Sequence, residues 1–367
     1  MVSRRRCTGL LLAAPLARGQ SRESIAGVER IVAIGDVHGD YDAFVSLLRT
    51  AKLIDRGTSW SGGMTHLVLP GDYLDRGKNS RKVIDLLMEL EPRAQKAGGR
   101  VHALLGNHEA MNVYGDLRYV VKADYEAFRG PDSQELREAA LEAAFQAQRA
   151  KDGPQVDEAA FRKKFEEDHP LGWMERREAF SAEGKYGKWL RQKNVIVRIN
   201  DLIFLHGGIS PKYASATLNY LNDSVHAELA DFSKLNGGVT TDQEGPLWYR
   251  GLAESPESDR AVAGAVDVFL QNQQARRLVI GHTPQVAVLP RFQGKVILID
   301  VGLSAFFGGP PAFLLVESGK YYAVHRGRKL DLPVDGAGLT GYLRAAAALD
   351  PPDSALRRSV EKTGTVH

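Results

Sequence analysis

Apolar residues fall along this chain in short branched runs, each closed by glycine or histidine and side chains able to bind metal. The runs Ile31 to Ile34, Leu67 to Leu69, Val101 to Leu105, Leu202 to Leu205 and Leu278 to Ile280 have the length and branched content of buried strands. Between the first three, Tyr41 to Thr50 and Arg81 to Leu90 carry apolar residues at helical spacing, which predicts β-α-β-α-β. From about Lys122 to Trp189 the chain is rich in Glu, Lys, Arg, Ala and Phe at helical periodicity. That stretch predicts a helical insertion, which either caps the site opening or packs on a remote sheet face. From Asn194 to about Arg326 the pattern reads as mostly strands, adding Val195 to Ile199, Val296 to Ile299, Ala312 to Val316 and Tyr321 to His325. Asn200-Asp201 and Ser318-Gly319 mark hairpin turns among them. Two facing sheets with helices outside, an α/β fold, accommodate both groups. Beyond about residue 331 the Pro, Gly and Ala content and the Pro351-Pro352 pair predict a peripheral helix and a frayed end.

Composition narrows the chemistry. With 367 residues and 43% hydrophobic content the chain can bury a substantial core. The formal net charge is only +3 and the charges are interspersed, so no basic stripe points to a nucleic-acid partner. The single cysteine, Cys7, rules out a disulfide framework and a thiolate metal site, so a metal centre must use oxygen and imidazole. Residues 1–19 read as a signal or targeting segment: Arg4-Arg5-Arg6, an apolar stretch from Cys7 to Ala17, then small residues at Ala17-Arg18-Gly19. That grammar favours export to a periplasm, with a cytoplasmic or organelle-targeted protein as the alternatives. The apolar stretch is too short to span a bilayer, and no other segment reads as a membrane span.

The residues closing the runs converge on one kind of centre. Gly35-Asp36-Val37-His38, Gly71-Asp72-Tyr73-Leu74-Asp75-Arg76-Gly77, Gly106-Asn107-His108-Glu109, His206-Gly207-Gly208 and Gly281-His282-Thr283 deliver metal-seeking side chains from separate strand ends. Asp36, His38 and Asp72 form one ligand set; Asp72, Asn107, His206 and His282 form a second if the Asp72 carboxylate bridges. Mixed oxygen and nitrogen ligation suits manganese, iron or zinc better than magnesium or calcium. Two such ions clamp a phosphoryl group and activate water near neutral pH, without a covalent nucleophile. His66, His102, His169, His226, His325 and His367 lack this setting and read as ordinary surface or core histidines.

Taken together and in order, these five motifs resemble the signature set of the phosphoprotein phosphatase family of metallophosphoesterases, over about Ile31 to Ala323. Gly106 to Asn112 leading into Gly115-Asp116-Leu117-Arg118-Tyr119, with the helical stretch after it, is similar to the Shewanella-like branch. The resemblance implies a calcineurin-like catalytic domain over residues 28–330, a central two-sheet β-sandwich flanked by helices, and hydrolysis of phosphomonoesters on a phosphorylated protein or peptide. It implies two divalent metals, manganese first and iron or zinc next, on Asp36, His38, Asp72, Asn107, His206 and His282. His108 is then the general acid, Asp75 orients its ring, and Arg76 contacts phosphate oxygens. A second phosphate-binding arginine is expected from the family, and Arg250 is the candidate. Asp300 to Phe307 departs from the tyrosine-containing loop of the eukaryotic serine/threonine enzymes. The branch resemblance tilts the expected substrate toward phosphotyrosine. A dinucleoside polyphosphate hydrolase is the second expectation, and a silent phospho-binding scaffold the third.

Overall fold

The computed structural model describes residues 24–364, so the expected targeting segment 1–19 lies outside the described residues. The chain opens with β1 (Ser24–Ile25), β2 (Arg30–Ala33), α1 (Tyr41–Thr50), β3 (His66–Leu69), α2 (Ser80–Lys96), β4 (Arg100–Ala103) and α3 (Asn107–Tyr114). Five helices then run without a strand between them: α4 (Lys122–Glu126), α5 (Ser133–Asp152), α6 (Glu158–Asp168), α7 (Trp173–Ala179) and α8 (Lys185–Leu190). The second half holds β5 (Ile196–Ile199), β6 (Leu202–Leu205), α9 (Leu218–Ala230), α10 (Gly251–Glu254), α11 (Arg260–Asn272), β7 (Arg277–Ile280), β8 (Leu289–Arg291) and β9 (Val296–Leu298). The chain closes with β10 (Ala312–Glu317), β11 (Lys320–His325), β12 (Arg328–Asp331), α12 (Leu339–Leu349) and α13 (Ala355–Gly364).

The strands form two six-stranded mixed sheets, ordered β12-β11-β10-β2-β3-β4 and β1-β5-β6-β7-β9-β8. In the first, β2, β3 and β4 are parallel and β10 runs antiparallel to β2. In the second, β6, β7 and β9 are parallel, while β5 and β8 pair antiparallel. Both sheets are flanked by helices, and their central strands are buried on both faces, as a parallel sheet between layers requires. Those strands contribute Val32, Val68, Ile203 and Val279, each without solvent exposure, to one continuous core.

The second half departs from the mostly-strand expectation. Helices α9 and α11 carry the crossovers toward β7, capped by Thr217, which accepts from the Tyr220 N–H, and by Asp259, which accepts from the Ala261 and Val262 N–H groups. The C-terminal residues expected to be peripheral are docked. Tyr342 of α12 is buried and donates to the Val288 carbonyl, and Asp350 accepts from His325 at 2.8 Å in a buried pair.

Candidate active site

Each parallel strand ends in a tight turn that aims a polar side chain at one buried point. His38, Asp72, Asp75, Arg76 and His282 all adopt positive φ, between 45° and 70°. For side chains other than glycine such conformations cost about 1–3 kcal/mol each and persist only where the surroundings impose them. Gly71 (φ 138°) shows one constraint directly: a Cβ there would lie 2.4 Å from the Gly106 Cα, so the turns after β3 and β4 touch backbone to backbone.

Around His206 Nε2 lie Asn107 Oδ1 at 3.0 Å, His282 Nδ1 at 3.0 Å and Asp72 Oδ2 at 3.2 Å. One ring nitrogen cannot hydrogen-bond well to all three. Atoms bound to a common metal at about 2.0–2.2 Å and near right angles sit about 3 Å apart, so this spacing fits a metal's ligand set. The tautomers fit as well. His282 Nε2–H donates to the Trp248 carbonyl (3.1 Å) and His38 Nδ1–H to the Leu74 carbonyl (3.1 Å), which leaves the other nitrogen of each ring free. Burial holds the His38 pKa down to about 4 and, with His206, holds His282 well below the usual imidazole range. Both rings are therefore neutral at pH 7, as metal ligands must be.

Asp72 is shared between two halves of the cluster. Its Oδ2 lies 3.8 Å from His38 Nε2 and 3.2 Å from His206 Nε2. Burial opposes its charge, yet the His206, His108 and His38 rings hold its pKa well below the carboxylate range. Asp36 Oδ2 lies 3.9 Å from His38 Nε2, and both Asp36 oxygens accept from the His282 N–H at 3.1 Å. Two candidate metal groups result: Asp72 with His38 and His108, and Asp72 with His206 and His282. Asn107 and Asp36 border them.

Beside the cluster, His108 Nδ1 lies 2.8 Å from Asp75 Oδ2, with both side chains fully or nearly fully buried. Burial opposes protonation of this ring, but Asp72 and Asp75 outweigh it and raise its pKa. The Arg76 guanidinium sits 4.6 Å from the Tyr119 ring centre, 5.1 Å from Phe306 and 5.4 Å from Phe307, and its buried Nε has no partner among the described residues. Arg250 is exposed on the rim, its Nη1 donating to the His282 carbonyl (2.9 Å) and Thr283 Oγ1 (3.1 Å). Neither arginine forms an ion pair with a carboxylate among the described residues. All ten residues singled out in the sequence are thus gathered at one end of the sheets.

A profile of the calcineurin-like phosphoesterases matches residues 29–286. The chain belongs to that family. This phosphoesterase is 31% identical over 286 residues to Shewanella-like protein phosphatase 2 of Arabidopsis thaliana, covering 75% of the present chain and 72% of the plant protein. It is 26% identical to Shewanella-like protein phosphatase 1 of Plasmodium berghei, covering 80% and 74%. Among solved structures it resembles the cold-active protein-tyrosine phosphatase of a psychrophilic Shewanella species, with TM-score 0.64, 30% identity, and coverage of 84% and 82%.

Four residues of the phosphoesterase site escaped the sequence reading. Glu109, fully buried, accepts from the Asp72, Tyr73, Leu74 and Gly106 N–H groups and so ties the β3 turn to α3. Asn112 lies one helical turn beyond His108, and its amide donates to both Asp75 oxygens at 3.0 Å. Asp300 follows the Val296 to Ile299 run as Asp36 follows its own, so the same strand-then-ligand pattern could have found it. Arg176 reaches this region from α7, and no local pattern points to it.

Asp300 has a chemical consequence. Burial, then Asp300 and Asp72, raise the Asp36 carboxyl well above its usual range, and burial with Asp72 raises Asp300 to about 7. A cation entering this phosphoesterase centre must therefore displace a proton that an ordinary aspartate would already have lost. Apparent affinity for Mn²⁺ is expected to fall as pH is lowered, because the raised Asp36 carboxyl holds a competing proton. Calorimetric titrations in two buffers of different ionisation heat measure the proton released, and an affinity constant from about pH 5 to 8 contradicts the expectation.

Proposed function

We propose that this chain is a two-metal phosphoprotein phosphatase with a preference for phosphotyrosine. The observation that carries the reading is the buried cluster around Asp72, with the His108–Asp75 pair on one side and, beside it, the guanidinium of Arg76, which has no acidic partner among the described residues. Asp36, His38 and Asp72 would hold one divalent cation; Asp72, Asn107, His206 and His282 would hold the other. Bound there, the cations supply positive charge to the phosphoryl oxygens and lower the pKa of water enough for attack near neutral pH. The donor set is oxygen and imidazole without thiolate, which favours manganese, with iron or zinc as the other fits.

The remaining steps belong to the protein. Arg76, and Arg250 across the rim, receive the non-reacting phosphate oxygens, since guanidinium donors match them in pairs. His108 gives the proton from Nε2 to the departing oxygen. Spacing alone would let His108 bind metal, because its Nε2 lies 3.7 Å from Asp72 Oδ2. Its protonation argues otherwise: burial holds His38 and His282 below the usual imidazole range, whereas Asp72 and Asp75 raise the His108 pKa and so favour the proton-bearing ring.

The preference for phosphotyrosine rests on the aromatic rim and on the likeness to the Shewanella enzyme. Tyr119 and Phe307 flank Arg76, and Phe306 is 60% exposed beside a recess of about 530 Å³ that Asp42, Lys78 and Val121 also line. A substrate ring entering toward the metals meets these faces; a seryl methylene does not. Aromatic pairs contribute about 0.5–1.5 kcal/mol beyond burial, so Phe306→Ala should cut the phosphotyrosine-to-phosphoserine ratio of kcat/KM about two- to tenfold. Steady-state rates on matched peptides test this, and an unchanged ratio removes Phe306 from recognition. The wider reading is tested by rates on phosphotyrosine peptide, phosphoserine peptide and diadenosine tetraphosphate with defined Mn²⁺. Faster turnover of the dinucleotide would replace it with a nucleotide hydrolase.

A further inference from the structure

Among the described residues, Arg176 is the largest side chain that the fold buries completely. It rises from α7, in the helical segment between β4 and β5, and arrives beneath the His108–Asp75 pair. Its Nε donates to Asp124 Oδ2 at 3.1 Å, its Nη2 donates to Asn112 Oδ1 at 2.6 Å, and Nη2 lies 3.6 Å from Asp75 Oδ1. The guanidinium rests 4.5 Å from the centre of the Phe180 ring. A buried ion pair is a poor source of stability, since well-packed apolar residues of the same volume often do as well or better. Its position against the acid pair therefore calls for another explanation.

The hydrogen bonds give one. An arginine has donors only, so the Asn112 atom facing it must be the amide oxygen. The Asn112 nitrogen is thereby turned to Asp75, where it donates to both carboxylate oxygens at 3.0 Å and to the His108 carbonyl at 2.8 Å. Asp75 in turn holds His108 Nδ1 at 2.8 Å. We propose that Arg176 is a positioning residue: by fixing the Asn112 amide it locks the Asp75 carboxylate, and so the His108 ring, with Nε2 facing the leaving oxygen. The helical segment then acts on catalysis from the buried side of the site. This rests on the assignment of His108 as the acid. In the step concerned, a water oxygen bonds to phosphorus and gives up one proton to solvent, the P–O ester bond breaks, its electron pair stays on the leaving oxygen, which takes the proton from Nε2, and solvent then returns a proton to the ring.

A leaving group that needs no proton should not notice the loss of this alignment. Arg176→Lys and Asn112→Ala are compared with the wild type and with His108→Ala on phenyl phosphate and on 2,4-dinitrophenyl phosphate, whose phenolate departs unaided. Both variants are expected to lose at least about tenfold in kcat on phenyl phosphate and less than about twofold on the dinitrophenyl ester, a fraction of the full general-acid effect. Metal content and a cooperative melt should match the wild type. If Arg176→Lys fails to fold, Asn112→Ala decides alone. Unchanged rates, or equal losses on both esters, would overturn the positioning role while a graded loss in His108→Ala leaves the acid assignment standing. An even loss in His108→Ala itself would overturn both.

Discussion

Replacing His108 with alanine is expected to slow hydrolysis of a phosphotyrosine peptide by a factor of about 10²–10⁴ while both metals stay bound, the range that loss of a general acid produces. The geometry separates those two outcomes. The His108 ring is held through Nδ1 by Asp75, and Nε2 points into the cluster without being needed to complete it, since Asp72, Asn107, His206 and His282 already close around one point. The pH profile carries a second signature. Burial opposes the imidazolium, but Asp72 and Asp75 outweigh it, so the His108 pKa is raised above 6.5. The proton-bearing form is then complete below that pKa and is lost as pH rises through it, which places an alkaline limb above pH 6.5. In the variant that limb should vanish. Turnover equal to wild type, or loss of metal along with rate, would remove His108 from the role.

Asp72→Ala should be more damaging still. It takes away a carboxylate within 4 Å of three imidazoles, from His38, His108 and His206, so both proposed metal positions would lose a ligand together. Without bound metal the pKa of the attacking water returns from about 7 toward 15.7, and turnover should fall by at least about 10⁴. Elemental analysis should find less than one metal per chain, in contrast to His108→Ala. Asp36→Ala, at the edge of the cluster, should be milder, because its loss touches one position. A chain that keeps two metals without Asp72 would show that its carboxylate does not bridge.

The parallel strands were legible because both faces are buried: β6 is apolar throughout and β3 at all but His66, and the chain changes character within three residues of each run's end. The ligands were legible for the same reason, standing where an apolar run stops. Other elements left weaker marks. Strand β12 reads Arg-Lys-Leu-Asp and β8 contains Pro290, because each is an edge strand with one free side and no apolar pattern to keep. Helices α9 and α11 were readable from Thr217 and Asp259 as caps, but the short apolar runs around them resemble strands. Arg176 lies 64 residues from Asn112, so the bond joining them exists only once the helical segment has folded back.

The left-handed turns at Asp72, Arg76 and His282 set two selective pressures against each other. A lineage under pressure only to survive heat would drift toward glycine there, since glycine occupies that backbone freely. The chemistry proposed for the site opposes the drift, because glycine has neither carboxylate, guanidinium nor imidazole. At these three positions backbone strain and the proposed chemistry coincide, so a glycine exchange would relax the turn while removing the side chain that serves the metals or the phosphate.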